Sequence, residues 1–212
     1  RHSRYNLVDA AAVGRGLAKL HVALADYPDD GGMMRRTAEV AAGLRETAVT
    51  VMRTPASVPS HYRDFVLAAA ERYESAFGRS ADWQCTHGDV TPGNVLLDEG
   101  GEVWFTDFED AAFSWRSPLI DLGNAVLRFA LANGRDRQAR TAALLSAYLA
   151  TGGRRWQPVE LRGALRNLVD RNWLVLASLS LAGHPAAAAE WGKFAAIDRG
   201  LDAAIGEVTT LL

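Results

Sequence analysis

Residues 83–107 interrupt a chain whose pattern is otherwise helical. On both sides the apolar residues recur every three or four positions, whereas 83–86, 95–97 and 103–105 are short apolar or β-branched runs set between Pro, Gly, Asn and Asp. The fold this predicts is mainly α (α+β), a helical bundle with a small β-hairpin. The polar residues of the interruption, among them His87, Asp89, Asn94 and Asp107, sit at strand ends, where the backbone supports them.

The flanking tracts divide at turn residues. Leu7, Ala11, Leu17, Leu20 and Leu24 predict a helix over 6–25, with Asn6 or Asp9 as N-cap. Gly14-Arg15-Gly16 lacks the third glycine and the preceding strand of a phosphate loop, and reads as small residues at a helix contact. Tyr27-Pro28-Asp29-Asp30-Gly31-Gly32 is a loop, its two Asp a solvated turn or an acidic rim for a cationic substrate. Helices follow over about 34–52 and 61–77, the first stopped by Pro55 and Pro59, the second capped by Ser60 and ending near Gly78. Beyond Asp107 the chain runs irregularly to Ser117-Pro118, a helix start with Ser as cap and Pro at the first position. Helices are predicted from there over 118–133, 136–150, 158–182 and 185–211. No linker divides residues 1–212, which read as a single domain.

With 212 residues, 49% hydrophobic and 23% charged, the chain can bury a substantial core. A formal charge of −2 offers no broad basic field, which argues against nucleic acid or an anionic membrane as partner. Cys85 is the sole cysteine and has no internal disulfide partner. No apolar run approaches the roughly 18–20 residues of a membrane span, and no signal peptide opens the chain, so a cytoplasmic location is expected.

The hairpin carries chemistry. With Gly100-Gly101 as a two-residue turn, Asn94 lies opposite Asp107, and an amide oxygen and a carboxylate together suit one hard cation. Mg²⁺ accepts such ligands while taking the rest from water and phosphates. Cys85 and His87 stand alone, so no zinc cluster forms. Asp89 precedes Asn94 by five residues, with Pro92-Gly93 bending the chain between them, so both can face one cavity. Asp89 is then placed to receive a hydroxyl proton, a division of labour that suits phosphoryl transfer.

At these residues the chain resembles the aminoglycoside phosphotransferase and choline kinase group, relatives of the protein kinases. Their H-G-D-x-x-x-x-N signature and following I-D-F/W segment are matched by His87-Gly88-Asp89, Asn94 and Thr106-Asp107-Phe108, and the family's P-x-x-D-L by Pro118-Leu119-Ile120-Asp121-Leu122. The resemblance implies the C-terminal lobe of a protein-kinase-like fold, with Asp89 as catalytic base and Asn94 and Asp107 as Mg²⁺ ligands. His87 and Asp121 would hold the loop. It implies transfer of the γ-phosphoryl group of ATP or GTP to a hydroxyl of a small molecule such as an aminoglycoside, with other antibiotics, choline-like amines, homoserine and sugars equally open as acceptors. Glu109, Asp110, Asp170, Trp173 and Glu190 are weaker candidates for the acceptor wall. Three departures stand out. Thr91 occupies the position of the protein-kinase Lys, which disfavours a protein substrate; Glu109 replaces the Gly of D-F-G; and Arg116-Ser117-Pro118 stands for G-D-P. Lys19 and Lys193 are the only lysines, and neither fits a strand lysine for nucleotide phosphates. Nothing before Trp83 reads as a β-sheet, so the N-terminal nucleotide lobe is expected to lie outside this chain. The alternative is a non-catalytic kinase-like module that binds a ligand or partner.

Overall fold

The computed structural model describes residues 7–29, 31–54, 58–73, 82–133, 136–184 and 186–209. Their helices are α1 (Leu7–Leu24), α2 (Gly32–Arg53), α3 (Arg63–Arg72), α4 (Leu119–Ala125), α5 (Arg137–Ala150), α6 (Pro158–Leu181) and α7 (Ala186–Thr209). Four short strands lie between α3 and α4: β1 (Gln84–Cys85), β2 (Val95–Leu97), β3 (Val103–Phe105) and β4 (Trp115–Arg116). The fold is mainly α with a small hairpin, as the periodicity predicts. Asn6, Phe77, Gly78, Pro185 and Leu211, expected near helix ends, lie outside the described residues.

Helix α1 joins the bundle to the hairpin, and its glycines explain how. A Cβ at Gly14 would stand 2.2 Å from the Leu144 carbonyl oxygen of α5, and one at Gly16 would stand 2.7 Å from Val103 Cβ of β3. Both glycines are small residues at close contacts, and no phosphate loop is present there. Lys19 Nζ reaches Glu102 Oε2 at 2.7 Å, but both ends are exposed, which limits the pair to about 1 kcal/mol or less.

The core is shared by α1, α4, α5 and α6, with Leu17, Phe129, Leu144, Tyr148, Leu165 and Trp173 fully buried. Beside it an aromatic stack spans Phe65 to Trp173 at 5.1 Å, Trp173 to Trp191 at 5.8 Å and Trp191 to Tyr62 at 5.5 Å between centroids. Helix α6 starts with a capping box in which Gln157 N–H donates to Glu160 Oε2 at 2.7 Å, and Pro158 takes the first turn.

Several boundaries differ from the sequence reading. Ser60 does not cap a helix; Ser60–Tyr62 is a 3₁₀ turn closed by Tyr62 N–H on Pro59 O at 2.9 Å, and α3 begins at Arg63. Asp9 lies inside α1 and is not its N-cap. Asp136 adopts φ 53° ahead of α5. The helix expected over 118–133 changes pitch: after α4 it is a π turn over Val126–Ala130 and a 3₁₀ turn over Leu131–Asn133. The stretch expected to be irregular after Asp107 contains β4, which pairs antiparallel with β1 through Gln84 and Arg116.

The hairpin register is also corrected. β2 pairs with β3 as Val95 to Phe105, Leu96 to Trp104 and Leu97 to Val103, so Asn94 pairs with Thr106 rather than Asp107. The reason is the turn. Gly101 N–H donates to Asp98 O at 3.1 Å and Asp98 N–H to Glu102 O at 3.0 Å, which closes a three-residue loop with Gly101 at φ 79°. The Asp98 carboxylate fixes it by accepting Glu102 N–H at 2.9 Å and Trp104 Nε1–H at 3.2 Å. Among the described residues, no helix is long and apolar enough to cross a membrane.

Candidate active site

The site is built on a buried carboxylate. Asp121, on the first turn of α4 and 1% exposed, accepts His87 N–H on Oδ2 at 2.7 Å and Gly88 N–H on Oδ1 at 3.0 Å. Ser117 helps to aim that turn, its Oγ accepting Leu119 N–H at 3.3 Å. His21 Nε2 stands 3.5 Å from Asp121 Oδ2, an ion-pair distance too long for a good hydrogen bond. Burial alone would raise the Asp121 pKa; His21 and the two loop N–H groups outweigh it and hold the carboxyl below its ordinary value.

His87 ties the loop to the other side of the site. Its Nδ1 accepts Asp89 N–H at 3.3 Å, which leaves Nε2 to donate to Thr106 O at 2.9 Å. This assignment, made from the hydrogen-bond network, is a neutral imidazole with its proton on Nε2. The ring is fully buried, 4.6 Å from the Phe108 ring and 5.8 Å from that of Phe105. Gly88 has φ 88°, and a Cβ there would stand 3.0 Å from Ser114 Cβ and 3.1 Å from Asp110 Cβ. Only glycine suits that position.

Between these anchors the loop presents Asp89. Pro92–Asn94 forms a 3₁₀ turn that folds Asn94 back, and its Nδ2 donates to Asp89 O at 3.0 Å and to Asp89 Oδ2 at 2.9 Å. With both amide hydrogens committed, Asn94 Oδ1 remains as an acceptor. Thr106 N–H donates to Asn94 O at 3.0 Å, and the next residue, Asp107, turns out of the strand with φ 63°. A non-glycine residue in that region is strained by about 1–2 kcal/mol, and Asp107 stands next in the chain to Thr106, the residue paired with Asn94. The direct pairing of Asn94 with Asp107 expected from the sequence is replaced by pairing of Asn94 with Thr106, with Asp107 one residue further along. Asp107 is exposed, and its carboxylate has no hydrogen bond among the described residues.

Two hard oxygen groups, Asn94 Oδ1 and the Asp107 carboxylate, therefore suit Mg²⁺. Among the described residues no three His, Cys, Asp or Glu side chains gather to hold a metal, so any further ligands would come from water or phosphates. Cys85 is buried on β1, and burial together with Asp121 pushes its thiol pKa up, which keeps it unreactive.

The acceptor-wall candidates separate. Glu109 and Asp110 are exposed on the 3₁₀ turn Glu109–Phe113, with Asp110 against Gly88. Glu190 pairs with Lys193 at 2.8 Å on α7. Asp170 and Trp173 belong to the interior. Asp170 is 1% exposed and bound by Arg72 at 2.7 and 3.2 Å, while Trp173 is fully buried and donates Nε1–H to Asp198 Oδ2 at 2.7 Å. Helical periodicity puts both on the packed face of α6, where side chains of any polarity are enclosed.

One residue near the site escaped the sequence reading. Arg128 lies in the π turn with its guanidinium 5.5 Å from the Phe194 ring; burial pushes its pKa down, and Asp89 and Glu190 oppose that. Arg128 is seven residues on from Asp121, close to the same face of a regular helix, and as the one arginine in the mostly apolar run 119–131 it carried the only signal that could have found it.

A search of curated proteins yielded no match. A solved choline/ethanolamine kinase family protein from Mesorhizobium loti superposes with a TM-score of 0.56 at 20% identity, covering 95% of this chain and 66% of that one. The chain thus spans just under two thirds of that protein's length, and at this identity the likeness shows a shared kinase-like fold. The model of the phosphotransferase enzyme family matches residues 3–164, which include every anchor of the loop, and the chain belongs to that family.

Proposed function

We propose that residues 1–212 are a single kinase-like lobe that moves the γ-phosphoryl group of ATP or GTP to a hydroxyl of a small-molecule acceptor, the resemblance naming aminoglycosides as one such class. The observation that carries this reading is the paired donation from Asn94 Nδ2 to Asp89, which orients a base and frees a metal ligand with one side chain.

In this reading Asp89 is the catalytic residue. Its Oδ2 is occupied by Asn94, so Oδ1 faces the acceptor hydroxyl and takes its proton as the oxygen attacks phosphorus. Mg²⁺, when bound, would be held by Asn94 Oδ1 and Asp107 and would neutralise phosphate charge. His87 and Asp121 are positioning residues: they fix the loop backbone on both sides of Gly88 through buried hydrogen bonds, so the base needs no reorganisation. The nucleotide would be covered by an N-terminal lobe. Leu96 and Trp104, directly paired on the hairpin and 56% and 61% exposed, are an apolar surface suited to such a lobe. The reaction needs neither nucleic acid nor membrane, and a cytoplasmic site of action fits it.

The test is Asp107→Asn in the full-length protein, assayed for Mg²⁺-dependent nucleotide turnover. Loss of one charged ligand should raise the Mg²⁺ needed for half-activity by about tenfold or more and lower kcat. Turnover with unchanged Mg²⁺ dependence would count against the site.

A further inference from the structure

We propose that Arg116 and Arg171 form an anion site that anchors a carboxylate or phosphate group of the acceptor. The inference rests on the kinase reading above and narrows its acceptor class: the hydroxyl presented to Asp89 would belong to a hydroxy acid or a sugar phosphate rather than to a polycation such as an aminoglycoside.

The two guanidinium groups come from different elements, Arg116 from β4 and Arg171 from α6, and line the same two adjoining cavities. The inner cavity, of about 30 Å³, is also lined by Trp83 and Tyr73, and has room for a carboxylate-sized group. The outer one, of about 170 Å³, is walled by Asp110, Phe113 and Ser114 and reaches Gly88, the residue before the proposed base. A molecule with its anionic end inside thus extends toward the catalytic loop.

Several donors around this space have no acceptor among the described residues. Arg116 Nη2 donates to Phe113 O at 2.9 Å, but Arg116 Nε is shut off from solvent and has no partner among the described residues. Trp83 Nε1 is in the same state. Arg171 forms no hydrogen bond or ion pair among the described residues. The neighbouring carboxylates do not resolve this. Asp121 is committed to His87 and Gly88 N–H, which leaves Asp110, among the described residues, as the one carboxylate lining these cavities against two guanidinium groups. Burial first, and then repulsion by Arg171, push the Arg116 pKa down to about 10, despite opposing pulls from Asp121, Tyr73 and Asp110. Two like charges with idle N–H donors around a shared space lack an anion, and a bound carboxylate or phosphate accepts from all of them.

The test uses the full-length protein in two arms. In the first, binding of inorganic phosphate at low ionic strength is measured calorimetrically for wild type, Arg171→Gln and Arg116→Met, with thermal melts to confirm folding. Arg171 is a partly exposed helix residue, so Arg171→Gln keeps the arm informative if Arg116→Met fails to fold. Phosphate binding that weakens about tenfold or more in Arg171→Gln supports the site; equal binding in both proteins, or none in wild type, overturns it. In the second arm, acceptor-stimulated nucleotide consumption is compared for hydroxy acids, sugar phosphates and aminoglycosides. Stimulation by an anionic class, with KM raised about tenfold by Arg171→Gln and kcat changed less, supports the inference, and the class that responds distinguishes carboxylate from phosphate. Stimulation by aminoglycosides alone, indifferent to Arg171→Gln, overturns it while the kinase reading stands. Nucleotide turnover that ignores Asp107→Asn removes the kinase reading and this inference with it.

Discussion

At the scale of single residues, the geometry depends most on Asp121, whose carboxylate replaces two backbone partners that the sharp turn at Gly88 denies to the loop. Its pKa is held below the ordinary carboxylate value, so the folded state binds its proton less readily than the unfolded chain. Its contribution to stability is therefore complete above the unfolded value, about 3.9, and is lost as pH falls through the lower folded value. Asp121→Asn offers one acceptor oxygen for two N–H groups and should lose about 2–4 kcal/mol at neutral pH. Urea melts at several pH values would also show a shallower acid decline than in wild type. Equal stability and an unchanged acid slope would mean that the loop is held by something else. This residue was legible in the sequence because P-x-x-D-L stands at a fixed place after the loop. Asp170 and Trp173 were not comparably legible: a carboxylate or indole on a helix carries no mark of which face is enclosed.

At the scale of elements, the hairpin shows what local sequence can and cannot specify. Gly100-Gly101 announced a turn in the right place, but a two-residue turn of type I′ needs positive φ at both central positions, and only Gly101 has it. The competing feature is Asp98, whose carboxylate accepts Glu102 N–H and favours a longer loop. Exchanging one turn for the other moves every cross-strand pair by one position, so Asn94 faces Thr106 where a two-residue turn would have set it against Asp107. Gly101→Ala should thus cost about 1–2 kcal/mol, and Gly100→Ala should fall within about 0.5 kcal/mol of wild type. Thermal melts of the two variants distinguish the turns, since equal losses would restore the two-residue form. The strand pair β1–β4 was illegible for a related reason. Two residues of strand carry no periodicity, and Trp115-Arg116 is recognisable only once Thr86 is seen to bond Ser114 O through both its N–H and its Oγ1, at 3.0 and 2.9 Å.

At the scale of the whole molecule, the helical bundle encloses the core, and the hairpin with its flanking loops carries Asp89, Asn94 and Asp107. Helix α1 couples them through two glycines, one against α5 and one against β3. The helical pattern of α2 and α5 was plain in the sequence because each has an exposed face, whereas α1 and α6 are buried round much of their circumference. The pitch change over Val126–Ala130 was hidden, since a π turn uses the same apolar residues as an α-helix. The central claim is that this frame orients Asp89 as a base for phosphoryl transfer to a hydroxyl. It is tested most directly by acceptor-stimulated nucleotide turnover of the full-length protein, wild type against Asp89→Ala, with nucleotide binding measured alongside. With Asp89 as the base, kcat should fall by about 10²–10⁴ in the variant while nucleotide affinity changes little. Transfer that survives Asp89→Ala with little loss would contradict it.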